Sequence, residues 1–138
     1  METYDAYIKG IGSAEVNLMG IVGVEAAFRG GEEWLDHVKA LIMHNYNYMK
    51  QEFARELPKI VVTPLEGTYL SWIDLRGYLT GEETADFIQT KCRLACDVGE
   101  WFSLMAQGFI RINLATDKKN IVTAVESIIK NIKEKVGE

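Results

Sequence analysis

Arg111 and Asn113 stand two residues apart in the run QGFIRINLA, residues 107–115. In an extended chain that spacing puts a guanidinium and an amide on one face. Ile110, Ile112 and Leu114 then share the other face and belong to a core. Alternation with β-branched residues predicts a half-buried strand. Arginine stays charged and offers a planar fork that matches a carboxylate or phosphate at two points. Held on a strand, the fork is a pre-positioned anion receptor. An arginine on the wet face of an antiparallel sheet is ordinarily solvated, so the pair alone specifies no reaction.

Other reactive residue types form no engine. Cys92 and Cys96 could share one face of a helix, but two thiols are too few for a structural zinc site. His37 and His44 are seven residues apart, with no metalloenzyme spacing around them. Both pairs read as ordinary thiols and imidazoles. Gly10 and Gly12 suggest a nucleotide loop, yet Glu15 stands where the third glycine belongs and no strand is expected before them. There is no P-loop and no nucleophile elbow. Asp74 and Asp97 are carboxylates that sequence alone does not pair.

The elements that would position these groups follow from periodicity. Residues 14–28 predict a helix that is apolar nearly all round, which calls for burial on more than one side. Gly30 and Gly31 break it. A long amphipathic helix follows from about Glu32 to Glu56, carrying Trp34, Val38, Leu41, Ile42, Met49 and Phe53, and Pro58 ends it. Residues 59–63 and 69–75 predict an antiparallel hairpin around a turn at 64–67. Thr80 and Glu83 have capping-box spacing for a helix running to about Leu94 and burying Ala85, Ile88 and Cys92. Residues 97–105 read as a loop. Thr116 or Asp117 caps a last helix with Ile121, Val125, Ile128 and Ile132 in its apolar stripe and its lysines on a solvated face. The expected fold is α+β, a small, mainly antiparallel sheet with helices packed on it.

The chain has 138 residues, enough for one domain, and is 48% hydrophobic and 25% charged, which suits a packed core. Its net charge of −5 is the wrong sign for a non-specific nucleic-acid binder. No apolar run reaches the roughly 18 residues of a membrane span. The start, METYDAYIKG, lacks the basic-then-apolar order of a signal peptide, which reads as cytoplasmic.

Five segments together are specific: GIVGVEAAFRGGEEWLDHV, the long helix, TPLEGTYLSWIDLR, DVGEWF and GFIRINLAT. In this order the chain resembles the C-terminal third of a fold-type-I, pyridoxal-phosphate-dependent class I/II aminotransferase. It is most similar to the cystathionine β-lyase-like (MalY/PatB) branch. The resemblance implies that Arg111 binds the α-carboxylate of an amino-acid substrate. It implies that the turn at Glu66–Tyr69 approaches the active site, making Thr68, Tyr69 and Asn113 neighbours of that site. It places the 14–28 helix near a large domain and a homodimer interface. Residues 1–30 then form a lead-in segment, and 31–138 the small domain.

The resemblance also implies what lies elsewhere. Family members are much longer, and their Schiff-base lysine sits earlier, in a Ser-x-x-Lys type segment whose setting none of the ten lysines here shares. Ser103 replaces a common glycine in the loop before Gly108. The expectation is a fragment of a transaminase or C–S β-lyase, inactive alone, with pyridoxal phosphate belonging to the parent and none bound to this chain. The competing readings are a non-enzymatic α+β module that binds a small acid or a partner protein, and a structural piece that dimerises.

Overall fold

The computed structural model describes residues 2–12 and 17–137. The chain divides into two compact units, one ending at His37 and one beginning at Val38.

The first unit holds α1 (Glu2–Gly10), α2 (Leu18–Gly30) and the start of α3 (Glu32–Glu56). Helix α1 was not expected from the sequence. It also disposes of the nucleotide-loop spacing, because Gly10 closes a helix rather than following a strand. Of the predicted 14–28 helix, residues 14–16 lie outside the described residues. Helix α2 is capped by Asn17, whose side-chain oxygen accepts from the Gly20 amide at 2.7 Å. It runs through Gly30, so the break falls at Gly31, whose amide donates to the Ala27 carbonyl. A β-carbon at Gly31 would meet that carbonyl oxygen at 2.5 Å, which is why glycine stands there. Helix α2 buries no residue, and Leu18, Met19 and Phe28 are 71, 79 and 91% exposed.

The second unit is built on a four-stranded, wholly antiparallel sheet of order β1-β2-β4-β3. Its strands are β1 (Val61–Val62), β2 (Leu70–Asp74), β3 (Asp97–Val98) and β4 (Phe109–Asn113). Ser71, Ile73, Val98, Ile110 and Ile112 face the core. Against them pack Met49 and Phe53 of α3, Ile88, and Ile121, Val125, Ile128 and Ile132 of α5 (Lys118–Val136). Each such aliphatic or aromatic side chain contributes about 1.5–3 kcal/mol by leaving water. The α+β expectation therefore describes the observed arrangement.

Local differences have local causes. The helix opened by the Thr80–Glu83 capping box is α4 (Gly81–Asp86), continued by one wide π turn over Phe87–Lys91. It stops short of Leu94 because Arg93 adopts a left-handed backbone, φ +56°. Ile88 and Cys92 are buried as expected, whereas Ala85 is only partly so. The expected loop at 97–105 contains β3 and two 3₁₀ turns, Gly99–Trp101 and Leu104–Ala106. Ser103 accommodates its glycine-favoured place in an extended conformation, its hydroxyl accepting from the Met105 amide. Asp117, not Thr116, caps α5. The α5 lysines are not simply solvated, since Lys133 pairs with Glu56 and Lys135 with Glu83 at 2.5 Å. These lysines hold both carboxyls below the usual glutamate range.

One buried amide links α3 to the end of β4. Asn45 is fully buried, and its Nδ2 donates to the carbonyls of Leu114 and Thr116, both at 2.9 Å. Asn45→Leu leaves those carbonyls without their donor and should lower unfolding free energy by about 1–3 kcal/mol. Urea denaturation with an unchanged midpoint would contradict this. Burial pushes the thiols of Cys92 and Cys96 up to about 11. At pH 8 only about one thiol in a thousand is then ionised, so Ellman's reagent should label the folded chain far more slowly than free cysteine. Equal rates would show that the thiols are accessible and unperturbed.

Candidate functional site

The alternation of β4 sends Ile110 and Ile112 inward and Arg111 outward, as the sequence predicts. Register then decides the neighbours of Arg111. It lies directly opposite Trp72 of β2 on one side and Asp97 of β3 on the other. The Asp97 Oδ2 atom accepts from both Arg111 Nε, at 2.9 Å, and Nη2, at 2.6 Å. The ring of Phe102 covers a face of the guanidinium, with its centroid 4.5 Å away. Phe102 meets Trp72 edge-on at 5.6 Å, and Trp72 stacks on Phe109 at 5.6 Å. Arg76 lies 4.5 Å above Phe109 and is itself held by Asp74. The Arg76 guanidinium lowers the Asp74 carboxyl below its usual range.

The outer face of the sheet is thus a row of aromatic rings with an arginine–aspartate pair at each end. The Arg111 and Asp97 side chains are 31 and 37% exposed. A pair this wet adds little net stability. Its effect is to fix where the guanidinium points. Gly99 lets the loop carrying Phe102 close up, since a β-carbon there would stand 1.9 Å from the Ala106 carbonyl oxygen.

Arg111 borders an open concavity of about 590 Å³, together with Asp97, Tyr69, Asn113, Thr116 and Asn120. Three of the four residues singled out from sequence therefore meet there. Asn113 turns its side-chain oxygen toward the Ala115 amide at 2.8 Å, leaving its amino group unengaged among the described residues. Thr68 does not line the concavity. It takes a left-handed backbone, φ +62°, and its hydroxyl accepts from the Leu70 amide at 3.2 Å. Sequence reasoning left Asp97 unpaired and gave Phe102 no role. A two-residue strand carries no readable period, so β3 could not announce that Asp97 faces Arg111.

The donor set fits a carboxylate rather than an aldehyde cofactor. No lysine lines the concavity among the described residues. Ser127 and Lys130 have the letter spacing of a Ser-x-x-Lys segment but lie in the middle of α5. Ser127 donates to the Cys92 carbonyl, and Lys130 is an exposed partner of Glu134. Among the described residues no three or more His, Cys, Asp or Glu side chains could hold a metal. His37 bonds the Glu33 carbonyl of its own helix. No helix is long and apolar enough to cross a membrane.

No family model matches the chain. It is 27% identical over 111 residues to cystathionine β-lyase PatB of Bacillus subtilis, covering 80% of this chain and 29% of that protein. Among solved structures it superposes on cystalysin from Treponema denticola, which contains pyridoxal 5′-phosphate, with a TM-score of 0.81. The identity there is 30%, covering 87% of this chain and 31% of the other. The pyridoxal-phosphate-bound C–S lyase of Staphylococcus hominis gives a TM-score of 0.78 at 29% identity, covering 86% and 32%. The chain thus spans about 30% of the length of the relatives it matches. Over most of its length the chain is thus similar to cystathionine β-lyases and to pyridoxal-phosphate-bound aminotransferases and C–S lyases, and it has the α+β small-domain fold of the fold-type-I enzymes.

Proposed function

We propose that this chain is the small-domain portion of a pyridoxal-phosphate-dependent C–S β-lyase or aminotransferase, with Arg111 as receptor for the α-carboxylate of an amino-acid substrate. The observation that carries this reading is the outward guanidinium on β4, held in place by Asp97 and Phe102 at the edge of an open concavity. In a parent enzyme the cofactor would supply the electron sink for a substrate carbanion, and groups outside the concavity described here would hold it. The residues of this chain would do the orienting. A carboxylate fixed at two points cannot swing, so the bond to be broken at Cα keeps one direction relative to the reacting centre. A charge-assisted hydrogen bond of this kind is worth roughly 1.5–3 kcal/mol. Tyr69 and Asn113 border the same opening and would limit how the rest of the ligand lies. Alone, by this reading, the chain is inactive.

Helix α2 supports a second part of the proposal. Apart from the exposed Glu25–Arg29 ion pair its side chains are apolar nearly all round and exposed, a composition suited to burial against further protein. We assign it to contact with a large domain and a homodimer partner.

Each part has its own test. In the full-length parent enzyme, Arg111→Lys keeps the charge and loses the fork, so kcat/KM for amino acids should fall by about 10²-fold or more. Near wild-type turnover would refute the carboxylate assignment. The 138-residue chain by itself should self-associate through α2, and a polar replacement such as Val22→Lys should reverse this. A clean monomer at high concentration in sedimentation would argue against the interface.

A further inference from the structure

Arg93 is the exception among five arginines. Arg29 pairs with Glu25, Arg55 with Glu52 and Glu56, Arg76 with Asp74, and Arg111 with Asp97. Arg93 is exposed and has no carboxylate partner among the described residues. It also stands where a side chain is disfavoured. The helix opened by Thr80 closes with the Cys92 amide donating to the Phe87 carbonyl and the Leu94 amide to the Ile88 carbonyl, both at 3.1 Å. That closure leaves Arg93 at φ +56°, the left-handed conformation in which helix ends ordinarily carry glycine. A β-carbon there is strained in a way that glycine avoids. The helix dipole favours a cation near its C-terminus, but Lys91 already supplies one in the last turn. A second, strained cation needs another reason.

Arg93 borders an open concavity of about 430 Å³, the size of a small-ligand site. Asp97 is the acid in its described lining, and that carboxylate is engaged by Arg111. The Arg93 charge is therefore left over. Gln89 borders the same space, with a side-chain amide that has no hydrogen-bond partner among the described residues. Trp101 forms another wall, 62% exposed and outside the row of rings on the sheet face. The 3₁₀ turn Gly99–Trp101 holds it, with the Phe102 amide donating to the Gly99 carbonyl at 2.9 Å. Leu94 and Ala95 add apolar lining.

These features select one kind of ligand. An unanswered guanidinium takes a planar carboxylate at two points. A free primary amide adds a donor. An exposed indole gives a flat ring a surface to stack on. We propose that this concavity binds a small aryl carboxylate, with the carboxylate on Arg93, Gln89 donating to it, and the ring against Trp101. The contacts are non-covalent. The site requires nothing of the carboxylate reading of Arg111 and goes beyond it.

The test is an NMR titration of the 138-residue chain with benzoate. It reads the Trp101 indole N–H, the Gln89 side-chain amide and the Arg93 Nε–H, with the Arg111 Nε–H for comparison. Acetate lacks the ring and benzyl alcohol lacks the charge. Benzoate should move the first three signals. It should bind about tenfold more tightly than benzyl alcohol, the size of one charge-assisted contact, and several times more tightly than acetate. Arg93→Gly removes the cation and the strained β-carbon together. It should lower benzoate affinity about tenfold while raising the midpoint of urea unfolding, so lost binding is not lost folding. Trp101→Ala should bring benzoate down to the level of acetate. Lys91→Gln removes a nearby exposed charge and should change the affinity by less than about twofold. Shifts confined to Arg111 would overturn the proposal and leave the carboxylate reading of that residue intact. Undiminished affinity in Arg93→Gly would overturn it as well, as would an equal loss in Lys91→Gln, the mark of general charge attraction. So would a lowered urea midpoint in Arg93→Gly, which would make Arg93 a support of the fold.

Discussion

The site depends on one register. Strand β4 pairs with β2 so that Arg111 stands across from Trp72, and with β3 so that Arg111 stands across from Asp97. Shifting either pairing by one residue would turn every side chain of the moved strand to the other face. Ile110 and Ile112 would leave the core and Arg111 would enter it. The burial of those isoleucines thus also aims the guanidinium. An apolar constraint on one side of the strand fixes an electrostatic feature on the other.

The ends of β4 are fixed as firmly as its middle. Asn45 reaches from α3 to the carbonyls just beyond the strand, holding the turn into α5. At the other end Gly108, at φ +87°, turns beside the Arg76 side chain. On the outer face, aromatic rings fill the space between two arginine–aspartate pairs. Flat rings against guanidinium planes limit rotation about the long arginine side chain without needing a buried charge. The desolvation that makes buried ion pairs costly is avoided, and the positioning is kept.

The apolar helix and the anion-receptor strand lie in different units. Sequence similarity relates them to enzymes about three times the length of this chain, and a helix that buries nothing here is consistent with a surface meant to be covered by more protein. The two features point to one proposal from separate grounds, solvation in one case and charge geometry in the other.

By itself the sequence determined the α+β class, the long helix, the inward and outward faces of β4, the capping box at Thr80 and Glu83, and the family resemblance in its ordered segments. All of these are local patterns, with a period or a fixed spacing that neighbouring residues record. Only the tertiary structure decided that Asp97 faces Arg111, that Phe102 lies over it, that Thr68 turns back on its own backbone, and that Lys133 and Lys135 find partners on other helices. Strand β3 is too short to leave a pattern, and its pairing lies fourteen residues away across irregular turns. Contacts of that kind are made by the packing of the whole sheet, and no stretch of residues carries them alone.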